Sequence, residues 1–396
     1  MAKFAKKNMR AKLLFLLMAP VAGAFAVENG ALYRSVEEQN KTLTALRSQL
    51  DMDFYANKEE NALPNPEVGF VYQWGANGVP DDKIGLEVSQ QLEWATILGK
   101  KKAVSSEKNA IGLLQYEQSR REILLRVNQL CVELLYNKMA EEQMNKRIDW
   151  AKQISDALEK QMNRGESTSL DYTKSKLVVL EYNSALKNLL MERESLLSEL
   201  TTLNGGVLPD LSGISLPEDF SVLSFDSLYE EKKKSAPALM IAQQEVKLSE
   251  KEYKLARSTM APDLNVGYSG EWVGEESMQG MSVGIALPLW ANKNKVKAAR
   301  SSRVVASARF DEAENQYRAE LKSLYDRLAM QNELMKSYQT EIDNYQGNDL
   351  LTKALQGGQI TMVDYLNEQL EFMDVLDSKL EVEKEFYLLL AELYWY

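Results

Sequence analysis

The chain states nearly the same plan twice, about two hundred residues apart, and a duplicated plan limits the possible folds more than any other feature of the sequence. In the first half, "NPEVGFVYQWG" (65–75) and "KIGLEVSQQLEW" (83–94) lead into a helical run that meets "RGESTSLDY" (164–172). In the second, "APDLNVGYSGEW" (261–272) and "GMSVGIALPLW" (280–290) lead into another run that meets "GGQITMVDY" (357–365). The offsets are 196 residues from Pro66 to Pro262, 197 from Leu92 to Leu289, and 193 for both Gly165 to Gly358 and Asp171 to Asp364. Spacing this constant reflects duplication of a whole structural unit.

Within each unit two kinds of periodicity alternate. Val68, Phe70, Tyr72 and Trp74 occupy every second position, as do Ile84, Leu86, Val88, Leu92 and Trp94, with Gln90 the one polar lapse. In the second half Leu264, Val266 and Tyr268 do the same, and so do Met281, Val283, Ile285, Leu287 and Leu289. A period of two gives a strand one greasy face and one polar or small face. A soluble sandwich satisfies that pattern, and so does a membrane barrel. Three details favour the barrel: strands of about ten residues, long enough to cross a bilayer when tilted; Trp74, Trp94, Trp272 and Trp290 near their ends; and polar hairpin loops, "GANGVPDD" and "VGEESMQ". About eight strands is the smallest number that closes, so four require a barrel shared between chains.

Between the strand pairs the period becomes helical. Lys100 to about Asn163 and Asn292 to about Gln356 contain no proline, and each would reach roughly 95 Å if unbroken. Leu321, Leu324, Leu328, Gln331, Met335, Tyr338, Ile342 and Tyr345 step three and four residues apart, a coiled-coil seam. Ile148, Ala151, Ser155, Leu158 and Met162 repeat it more weakly, and Gly347 marks a bend or break. Gly165 and Gly358 stand where a positive φ is cheap, and Thr168 and Thr361 follow three residues later as helix-starting hydroxyls. Helical segments at 28–58 and 226–258 precede the strand pairs. The expected organisation is a secretory signal over 1–26, a first repeat over 27–204, a Gly/Pro/Ser-rich connector over 205–225 and a second repeat over 226–396.

Composition removes whole classes of function. The N-terminus carries Lys3, Lys6, Lys7, Arg10 and Lys12 before an apolar stretch ending in Ala24-Phe25-Ala26, the pattern of a cleavable signal. The apolar core Leu13–Ala26 falls short of the roughly 20 residues a bilayer-spanning helix needs. Removing five cations and no acids takes the net charge from −11 to −16, so nucleic acid is not an expected partner. There is no histidine, which excludes Ser-His-Asp and Cys-His catalysis and imidazole zinc sites. Cys131 stands alone, so no internal disulfide forms, and the 16 methionines are scattered, as packing residues are. No enzyme activity, cofactor or metal is expected.

In this order and twice over, these motifs resemble the TolC-type outer membrane efflux family. The resemblance rests on "NPEVGF" and "APDLNVGYSGEW" opening the strand pairs, "VSQQLEW" and "IALPLW" closing them, the "GKKKA" and "NKVKAA" helix starts, and the paired turns "RGESTSLDYTKSK" and "GGQITMVDYLNEQ". It implies a mainly α chain with a small β part: long coiled-coil helical hairpins plus four transmembrane strands, three copies forming a twelve-stranded β-barrel and an α-helical tunnel. It implies an outer membrane channel of a Gram-negative bacterium reaching into the periplasm, working with a periplasmic adaptor protein and an inner membrane efflux pump. Carried onto this chain, the adaptor-contacting turns are Arg164, Gly165, Thr168, Leu170 and Asp171, and Gly357, Gly358, Thr361 and Val363. The tunnel aperture falls to Asp364, with Asn367 where the family's better-known members have a second aspartate, and Glu368 beside it. The alternative is a periplasmic adaptor, which carries a single helical hairpin framed by β-rich halves. The cargo, whether drug, metal or peptide, is left open.

Overall fold

The computed structural model describes residues 30–75, 82–212, 214–216, 224–288, 290, 292–345 and 347–395. The expected signal segment, most of the first hairpin loop and Leu289 lie outside these. In chain order the elements are α1 (Gly30–Gln39), α2 (Lys41–Glu59), β1 (Glu67–Gln73), β2 (Lys83–Leu92), α3 (Ala95–Asn163), α4 (Ser169–Leu203), α5 (Phe225–Lys232), α6 (Pro237–Ser258), β3 (Asp263–Val273), β4 (Glu276–Ala286), α7 (Lys293–Asn344), α8 (Gly347–Gln356) and α9 (Met362–Trp395). Helix, strand pair, long helix, turn and returning helix therefore occur twice. Among the described residues no helix is long and apolar enough to cross a membrane.

The described residues divide into two units. One collects the described residues within Met1–Thr44, Arg120–Tyr229 and Glu320–Tyr396, and these are mainly helical; the other collects those within Ala45–Ser119 and Glu230–Ala319, and holds the strands.

The strand-bearing unit contains one antiparallel sheet in the order β1-β2-β3-β4. Its register tests the two-residue period directly. Val68, Val88, Tyr268 and Met281 stand side by side on one level, Tyr72, Ile84 and Trp272 on another, and Leu92, Leu264 and Ile285 on a third. One-residue slips would have sent alternate strands to opposite faces; instead all four strands turn their apolar residues the same way. The reverse face carries Glu67, Ser89, Gly267 and Ser282 on one level and Gly69, Glu87, Ser269 and Gly280 on the next. β1 is shorter than expected, seven residues. Helix α2 packs beside the start of α3 through polar pairs: Arg47 Nε to Tyr116 OH at 2.8 Å, Asn57 to Asn109 at 2.7 Å and Asn61 to Ser105 at 2.9 Å.

The helical unit has its core where α1, α3 and α4 meet: Leu32, Tyr33, Val36, Leu124, Val127, Leu130, Cys131, Leu196 and Leu200, with Trp395 packed against them. Burial pushes the Cys131 thiol up to about 12, so it stays an inert thiol in this core. The seam expected on α7 is present, with Leu321, Leu324 and Leu328 buried. Ile148, Ala151 and Ser155 of α3 are buried as well.

Three of the expected helical runs break. The segment anticipated over 28–58 divides at Asn40, whose side chain accepts from the Leu43 N–H (2.9 Å) and donates to the Leu203 carbonyl (2.7 Å), tying the junction to the end of α4. The segment anticipated over 226–258 divides before Pro237, which sits in the first turn of α6, the one helical position that needs no N–H. The long second run divides as Gly347 foretold. A Cβ on Gly347 would collide with the Tyr345 ring, and that ring stacks on Phe372 with centroids 4.5 Å apart.

Candidate functional site

Both long hairpins close on one hydrogen-bond pattern. In the first, the Gly165 N–H reaches the Met162 carbonyl (2.9 Å) and the Glu166 N–H reaches Gln161 (2.9 Å). In the second, Gly358 reaches Leu355 (3.1 Å) and Gln359 reaches Ala354 (2.9 Å). These are paired Schellman bonds, and they need a residue in the left-handed region between them; Gly165 has φ 74° and Gly358 φ 70°. Gly357 precedes the second turn where Arg164 precedes the first, and Arg164 pairs with Glu166 at 3.1 Å.

The returning helices start alike. Thr168 Oγ1 accepts from the Asp171 N–H at 3.1 Å and donates to its Oδ2 at 2.6 Å. Thr361 Oγ1 accepts from the Asp364 N–H at 3.1 Å and donates to its Oδ2 at 2.7 Å, while the Thr361 N–H donates to the same oxygen at 3.0 Å. This is a capping box with aspartate as its acid. The threonine hydroxyls hold both carboxyls below their ordinary value, so each stays charged at neutral pH. Leu170 is exposed in the first turn of α4, and Val363 is half-buried in that of α9.

Asp364, Asn367 and Glu368 all lie on the exposed side of α9, opposite buried Leu366, Gln369 and Met373. Glu371 and Asp374 continue the same side at helical spacing. One residue set escaped the sequence reading. Arg147 of α3, only 7% exposed, reaches α9 with Nη1 on Asp374 (2.8 Å) and Nη2 on Asp377 (2.6 Å). Burial raises the Asp377 carboxyl, and the guanidinium opposes that rise. The available signal was two aspartates three apart on one helix and an arginine abutting the Ile148–Ala151 seam. Among the described residues no group of three or more His, Cys, Asp or Glu is placed to hold a metal.

The sheet supplies the other functional surface. Met281 is 86% exposed and Val283 69%, and Val68, Phe70 and Trp74 are similarly bare. β1 and β4 are the edges of the sheet, and every residue of both is exposed. A contiguous apolar face with open strand edges marks an interaction surface.

Known proteins give these features a context. Residues 228–394 match the family model described as outer membrane efflux protein. No curated protein sequence matches the chain. Among solved structures, the outer-membrane channel OprN is similar at a TM-score of 0.76 and 13% identity, over 93% of this chain and 89% of that one. A membrane protein from Pseudomonas aeruginosa is similar at 0.76 and 12% identity, over 96% and 97%. The outer membrane protein VceC from Vibrio cholerae is similar at 0.70 and 13% identity, over 93% and 95%. At such identities the likeness establishes the fold, and residues 228–394 in the second half are similar to the outer membrane efflux protein family.

Proposed function

We propose that this chain is one protomer of a homotrimeric exit duct, with no chemistry of its own, which passes solutes delivered by an inner membrane pump and a periplasmic adaptor. The observation that carries the reading is the sheet: four strands, one largely apolar exposed face, and two bare edges. A single copy cannot close it, and three copies supply the twelve strands of a barrel whose apolar face meets lipid. A periplasmic adaptor has no use for such a face, which disfavours that alternative. Residues 1–26 export the chain, 27–204 and 226–396 are its two repeats, and 205–225 connects them.

In this reading the two glycine turns are the adaptor contacts: Arg164, Gly165, Thr168, Leu170 and Asp171 on one hairpin, Gly357, Gly358, Thr361 and Val363 on the other. Asp364, Asn367 and Glu368 border the aperture. Three copies of a capped, ionised Asp364 around an axis concentrate negative potential and favour cations.

Mass measurement in mild detergent, followed by planar bilayer recording, tests the proposal. A trimer that conducts is expected, with cation preference reduced in Asp364→Ala and less affected in Asn367→Ala. A water-soluble monomer overturns the duct; unchanged selectivity in Asp364→Ala moves the constriction, with Glu368 next in line.

A further inference from the structure

In the strand-bearing unit, helices α3 and α7 begin directly after the sheet; α7 opens on lysine and α3 carries three lysines from its sixth residue. Residues 95–104 include Lys100, Lys101 and Lys102; residues 293–302 include Lys293, Lys295, Lys297 and Arg300; neither stretch contains an acid. Lysine in the first turn of α7 opposes the helix macrodipole, which favours acids there. Helices α4 and α9 obey that preference with Asp171 and Asp364. A chain with 58 acids and 47 cations has placed cations in the first turn of α7, where helix energetics resist them.

The setting of these lysines points to the reason. Lys101 is committed to Glu93 at 2.5 Å, whereas Lys102, Lys293, Lys295 and Lys297 are exposed. Beside them stand Trp94, whose indole N–H donates to the Pro262 carbonyl at 2.6 Å, and Trp290, 82% exposed. Ile285 and Leu287 carry the exposed apolar face up to that point. Apolar band, tryptophan and lysine thus follow one another along the chain in both halves. That order matches the depth profile of a bilayer leaflet: acyl chain, interface, charged headgroup.

We infer that Lys102, Lys293, Lys295 and Lys297, beside Trp94 and Trp290, form a belt that binds the headgroups of anionic phospholipids. The ammonium groups, rather than the helix-end amides, hold the phosphate. The inference rests on the membrane-embedded duct proposed above, because it needs the apolar face to meet lipid.

The test adds dioleoylphosphatidylglycerol or dioleoylphosphatidylcholine to the full-length protein in mild detergent and counts bound lipids by native mass spectrometry. The wild type should retain the anionic lipid at least tenfold more readily, and the preference should shrink at higher ionic strength. The K102Q/K293Q/K295Q/K297Q variant should lose it, the four-fold Lys→Arg variant should keep it, and neutralising exposed Lys152, Lys160, Lys174 and Lys187 instead should leave it intact. Equal retention of the two lipids by the wild type overturns the belt, and does so even if the glutamine variant fails to assemble. Retention by a folded glutamine variant overturns it too. Failure of the wild type to enter vesicles of either lipid defeats the duct itself, a separate outcome.

Discussion

Helix α3 runs for 69 residues without interruption, whereas its counterpart in the second half stops after 52 and resumes as the ten-residue α8. On either side of that difference the halves agree closely: the strand registers continue one apolar face, and the two turns share their Schellman bonds, their positive-φ glycine and their threonine cap. The contrast separates two kinds of constraint. A turn or a strand register is set by hydrogen bonds that a one-residue change would break, so a duplicated chain keeps it. The path of a long helix is set by what packs along it, and the break in the second half falls where Tyr345 stacks on Phe372 beside Gly347.

The agreement of the strands is open to the severest test. Arginine at Val88 or at Val283 sets a charge on the face proposed to meet lipid and should cost about 2–4 kcal/mol in each half. Arginine at the neighbouring Ser89 or Ser282 should leave the proposed trimer assembled and alter conductance only. A cost in one half without the other would show that the two strand pairs do not share a face.

Next in size is the tie between the halves. Replacing Asp374 and Asp377 together with asparagine leaves the buried Arg147 guanidinium without a carboxylate, which should cost about 2 kcal/mol once the exposure of Asp374 is allowed for. Hydrogen exchange around Arg147 and along α9 reads that loss. The unbroken helix should be affected as much as α9; exchange that quickens in α9 alone would mean that α3 holds its course without the tie.

How legible each region was in the sequence follows the same division. Alternation at Met281, Val283 and Ile285 and the glycines at 165 and 358 are local signals, and each placed its element correctly. Gly347 announced its break. The breaks at Asn40 and before Pro237 were missed because the helical composition on both sides is continuous, although Pro237 was visible and its missing N–H could have been read. Asn40 could not have been: its partner, the Leu203 carbonyl, lies 163 residues away. Arg147 was hidden for the same reason, since Asp377 lies 230 residues away, Asp374 is on the same distant helix, and an arginine on a long helix usually faces solvent. The aperture and adaptor roles come from family resemblance rather than from local residue patterns.

A smaller effect would convert one half into the other. Tyr345→Ala with Gly347→Ala removes the ring that occupies the Cβ position and replaces a glycine with the best helix former, a gain of about 1 kcal/mol per residue in a helix interior. The amides at 345 and 347 should then exchange as slowly as those in the middle of α3. If they stay fast, the break is imposed by packing around α8 and α9 rather than by the glycine and its neighbouring ring.

The caps at the two turns should give the smallest and most nearly equal effects. Thr168→Ala and Thr361→Ala each remove the hydroxyl that accepts the N–H of the third following residue, a loss of about 1 kcal/mol at the start of α4 or α9. The consequence is local fraying, visible as faster exchange in the first turn while the proposed trimer persists. Acid should erase part of the difference. The partner carboxyls of Asp171 and Asp364 titrate below their ordinary 3.8 in the folded protein, so the stabilisation they lend is fully present above that value and fades as pH falls through the lower folded one. Protection in wild-type α4 and α9 should therefore drop toward that of the alanine variants as acid protonates these carboxyls, and match at both turns. A pH response confined to Asp364 would mean that the second turn carries electrostatics the first lacks, as expected if Asp364 stands in a ring of like charges and Asp171 does not.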